Sequence, residues 1–161
     1  MAQRVVDRDL GFRRIVGEII EDPRWSLLVG IQESAKVKPE IKGDRKSDSG
    51  ASVAQYAAYN EFGTEKIPER SFMRTAFDEN INRIESILNF QYGKFIDGEQ
   101  SLRQALGLTG TAIVGMIQIK IRQIHNPPNS PETIARKGSS KPLIDFGQMV
   151  RSVTYAIRQN R

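Results

Sequence analysis

One histidine, two close carboxylate pairs and no cysteine are what this 161-residue chain offers to chemistry. His125 is the sole candidate base for a serine–histidine arrangement. It precedes Asn126-Pro127 at the end of a helical pattern, where a histidine ordinarily satisfies last-turn carbonyls. No G-x-S-x-G elbow accompanies it. Asp78 with Glu79, or Glu61 with Glu65, could serve as glycosidase carboxylates, although charged helix surfaces explain both pairs more simply. The lack of cysteine removes disulfides, thiolate nucleophiles, cysteine–zinc sites and iron–sulfur clusters. There is no P-loop, no H-E-x-x-H helix and no EF-hand ligand series. The expectation is a protein that is not an enzyme and that takes neither cofactor nor metal.

Charge is more informative than catalysis. The formal net charge is +5. Residues 1–50 balance at +1, residues 51–100 at −3 and residues 101–161 at +7. A basic final third points to nucleic acid, or to an acidic protein partner. Only Phe146 and Tyr155 are available there for base stacking, and no zinc-finger, helix-turn-helix or RNA-recognition signature is present. The N-terminus is charged where a signal peptide would be apolar. The longest uncharged stretch, between Arg103 and Lys120, has 16 residues, short of the ~20 a membrane span needs. The expectation is a soluble protein made in a cytoplasm, without a membrane partner. One domain suits the length.

The elements that must carry these residues follow from periodicity and punctuation. Asp9 can cap a helix to about Glu21, which Asp22-Pro23 ends. Arg24–Glu33 reads as a strand with Trp25, Leu27, Val29 and Ile31 on one face. Residues 35–50 hold five Lys/Arg, three acids, Pro39 and two glycines, which reads as a long projecting loop ordered only against a partner. Ser52–Phe62 is a helix that Gly63 ends. Pro68 sits at the start of a long helix, Glu69 to about Ile96. Asp97-Gly98 breaks it, and a second long helix runs from Glu99 to His125, making an antiparallel hairpin. Gly107, Gly110 and Gly115 inside that helix suggest close approach by another backbone, either within the fold or from a neighbouring subunit. Ser130-Pro131 starts a short helix to about Lys137, and Asp145 can cap a further turn. Ser152–Arg158 alternates Val153, Tyr155 and Ile157 inward and pairs with the first strand. The fold class is therefore α+β: a small antiparallel sheet packed against a long helical hairpin and short helices, with a long projecting loop.

Two segments carry a resemblance. The first runs Asn60-Glu61-Phe62-Gly63-Thr64, then Ile67-Pro68-Glu69-Arg70-Ser71-Phe72. The second is Pro142-Leu143-Ile144-Asp145-Phe146-Gly147-Gln148-Met149. In this order, with helices between, they resemble the tailed-bacteriophage tail-completion and head–tail joining family, also called virion morphogenesis or minor tail proteins. Ser71 stands where that family usually has proline, and Phe146 where it usually has threonine.

The resemblance implies a structural virion protein of the phage neck, assembled in the bacterial host cytoplasm. Such subunits form a ring, commonly sixfold, between the head connector or stopper ring and the tail tube. Genomic DNA passes through without sequence-specific contact. Asn60, Glu61, Phe62, Gly63, Pro68, Arg70, Phe72, Pro142, Leu143, Asp145 and Gly147 are expected to set the fold. Gly63 would permit a sharp exit from its helix, Pro68 and Arg70 would fix the start of the next, and Phe72 would anchor it. Contacts with neighbours are expected at Lys36, Lys38, Lys42, Arg45 and Lys46 of the loop, and at Arg136, Lys137 and Lys141. The alternative is a small basic nucleic-acid-binding protein.

Overall fold

The computed structural model describes residues 11–17, 25–32, 52–144 and 147–159. In chain order these form α1 (Phe12–Val16), β1 (Trp25–Ile31), α2 (Val53–Phe62), α3 (Met73–Ile96), α4 (Leu102–Gln123), α5 (Pro131–Lys137), α6 (Gln148–Ser152) and β2 (Val153–Gln159). The fold is α+β. The helix expected from Asp9 to Glu21 is described only over α1, and the loop at 35–50 lies outside the described residues.

β1 and β2 pair antiparallel, with Leu27 opposite Ile157, Val29 opposite Tyr155 and Ile31 opposite Val153. Side chains alternate across a strand, so these six share one face. α4 lies on that face and also packs along α3. The main core gathers Ala57, Phe72, Ile117, Leu143, Met149 and Val153 from six parts of the chain. A second cluster at the hairpin's turn joins Phe95, Leu102, Ala105 and Leu106 to Trp25 and Ile15.

Local chemistry explains most boundaries. Ser52 caps α2 and Ser101 caps α4, each in a reciprocal box with the glutamine three residues on. Ser130 accepts from the Thr133 N–H, Pro131 opens α5, and Gly138 closes it in the left-handed region at φ +68°. Arg14 closes α3 from a distance. Its Nη2 donates to the Phe95 and Ile96 carbonyls at 2.6 and 3.3 Å, where a cation meets the negative end of the helix.

Four details differ from expectation. α3 starts at Met73, not Glu69, so Pro68 is an exposed loop residue well ahead of the helix. α4 starts at Leu102 and ends at Gln123. The backbone is already extended at Ile124 (ψ 120°), so exposed His125 makes no bond to the last-turn carbonyls. α4 has 22 residues and is, among the described helices, long and apolar enough by length and composition to cross a membrane. Finally, within the fold the α4 glycines do not meet another backbone. A Cβ on Gly110 would come within 2.7 Å of the Tyr155 ring and 2.9 Å of Leu27, whereas Gly115 faces open space.

Candidate functional site

The residues of the first motif converge where α2 ends and α3 begins. α3 has no capping side chain of its own at Phe72 and no acid in its first turn. Its orphan N–H groups would be left unpaired. Glu61, on the last turn of α2, supplies what is missing. Its Oε2 accepts from the Phe72 and Met73 N–H groups, both at 2.8 Å, and Oε1 from the Arg74 N–H at 3.0 Å. The Ser71 hydroxyl donates to Oε1 at 3.0 Å and the Arg74 Nε at 3.1 Å. Arg74 Nη2 also reaches the Glu61 carbonyl and the Glu69 carboxylate.

Glu61 is 5% exposed. Burial pushes its carboxyl up, but the Met73 and Arg74 N–H groups, the Arg74 guanidinium and the Ser71 hydroxyl outweigh that and hold it below the ordinary value. With five donors on two oxygens, no lone pair is left for acid–base work. Glu65 is exposed in the following turn, and Arg74 stands between Glu61 and Glu69. Glu79 is engaged by Lys120.

The neighbouring residue faces another way. Asn60 is 1% exposed; its Nδ2 donates to the Tyr56 carbonyl and its Oδ1 accepts from Arg70 Nη1 at 3.3 Å. Arg70 Nε donates to the Pro127 carbonyl at 2.7 Å, and Nη2 to the Pro128 carbonyl and Asn129 Oδ1 at 3.0 and 3.4 Å. All four acceptors are neutral oxygens. Burial pushes the guanidinium below its ordinary value, yet arginine stays charged in proteins. Arg70 thus holds the α4–α5 connection, whose Asn126–Pro127 peptide is cis, against α2. Its own N–H bonds the Asn60 carbonyl at 2.7 Å.

The rest of that motif divides. Phe72 is fully buried, while Phe62 is exposed with the Arg74 guanidinium 5.2 Å from its ring centre. Gly63 sits at φ +74°, ψ 168°, a region open only to glycine. In the second motif Pro142 and Leu143 are buried, and Gly147 caps α6 at φ +70°. Asp145 and Phe146 lie outside the described residues, as do Lys36, Lys38, Lys42, Arg45 and Lys46. Arg136 is exposed at the last turn of α5, and Lys141 is exposed beyond it. Lys137 Nζ bonds the Lys141 and Pro142 carbonyls at 3.0 and 3.1 Å.

Sequence reasoning missed Arg74, Arg14 and the use of Ser71 as a donor. The available signal was a long helix opening on Phe-Met-Arg without a capping residue. Among the described residues, no cluster of His, Asp or Glu side chains could hold a metal ion. The chain matches no protein-family model, no curated protein and no solved structure.

Proposed function

We propose that this chain is a structural subunit of a tailed-phage neck, of the tail-completion or head–tail joining type, assembling as a ring in the virion. One observation supports the reading above others. The two separated segments that carry the resemblance meet in one core, where Phe72 of the first clusters with Leu143 and Met149 of the second. Asn60, Glu61 and Arg70 are spent on holding chain segments together, which suits a scaffold rather than a catalyst. The basic residues of the final third are distributed over α4, α5, α6 and β2 rather than along one groove-sized helix, which favours the ring over the nucleic-acid alternative.

The test is the mass and symmetry of the particle formed by the purified protein, alone and with connector or tail-tube protein, by native mass spectrometry and electron microscopy. A closed ring that seats on either partner is expected. Duplex binding with clear sequence preference at physiological salt, and no such particle, would replace this reading with the nucleic-acid one.

A further inference from the structure

We draw no further inference here: the strongest candidate, the exposed apolar face of the α3–α4 hairpin at Phe90, Leu108 and Ile119, carries nothing because nothing in the structure shows what covers it.

Discussion

Glu61 caps a helix it does not belong to: its Oε2 lies 2.8 Å from the backbone nitrogen of Phe72, eleven residues along the chain. The negative carboxylate meets the positive end of α3. The last turn of α2 is thereby fastened to the first turn of α3, and the buried Phe72 ring is set into the core between them.

Replacing Glu61 by glutamine should destabilise the fold by about 2–3 kcal/mol, the scale of a charge-assisted hydrogen bond lost from a buried site. The effect has a pH signature. The folded carboxyl lies below its ordinary 4.5. Its stabilisation is therefore complete above the unfolded value and fades as the pH falls through the lower folded value. Urea titrations of Glu61→Gln from pH 7 down to 3 should show a flatter acid limb than the parent. An unchanged acid limb would mean that other carboxylates govern it.

Arg70→Lys should cost about 2 kcal/mol, because one ammonium cannot reach the Pro127 and Pro128 carbonyls and Asn60 at once. Hydrogen exchange of the Thr133 and Ile134 amides, which bond Ser130 at the start of α5, should rise in this variant. Chemical denaturation with exchange by mass spectrometry would read both.

Gly110→Ala and Gly115→Ala should move stability in opposite directions, although both add one methyl to the same helix. Gly115 has open space, so alanine should gain up to about 1 kcal/mol of helix propensity. At Gly110 the methyl meets the Tyr155 ring, and overpacking of about 1–3 kcal/mol should exceed that gain. Thermal melts of the two single variants decide the matter.

Gly63→Ala should destabilise by about 1–3 kcal/mol through backbone strain at positive φ. The new methyl also approaches the Glu69 nitrogen at 3.1 Å. Circular dichroism melts should show the loss, with no change in monomer mass at low concentration.

The strand pair, the α3–α4 hairpin and the Ser130-Pro131 start were legible because their causes are local: alternation, heptad-like spacing and capping residues within four positions. The start of α3 was not, because its cap is Glu61, eleven residues away and on another helix. Local rules pointed at Pro68 instead. The roles of Asn60 and Arg70 were equally hidden, since Arg70 meets Pro127 fifty-seven positions on. The glycines of α4 suggested close approach by another backbone; at Gly110 the neighbour is instead the Tyr155 ring, and one sequence cannot tell the two apart.

The chain leaves the α2–α3 clamp at Gly63 and returns at Glu69, and the Arg70 N–H to Asn60 carbonyl bond at 2.7 Å ties that excursion shut at its base. Its tip, Glu65 and Lys66, is exposed. Loop-closure entropy grows only slowly with length, so with the base pinned, added residues at the tip cost mainly the bonds of the Thr64–Ile67 turn. An epitope or fluorophore-binding tag inserted between Glu65 and Lys66 would mark each copy of the chain at a known point while leaving the hairpin and the sheet untouched.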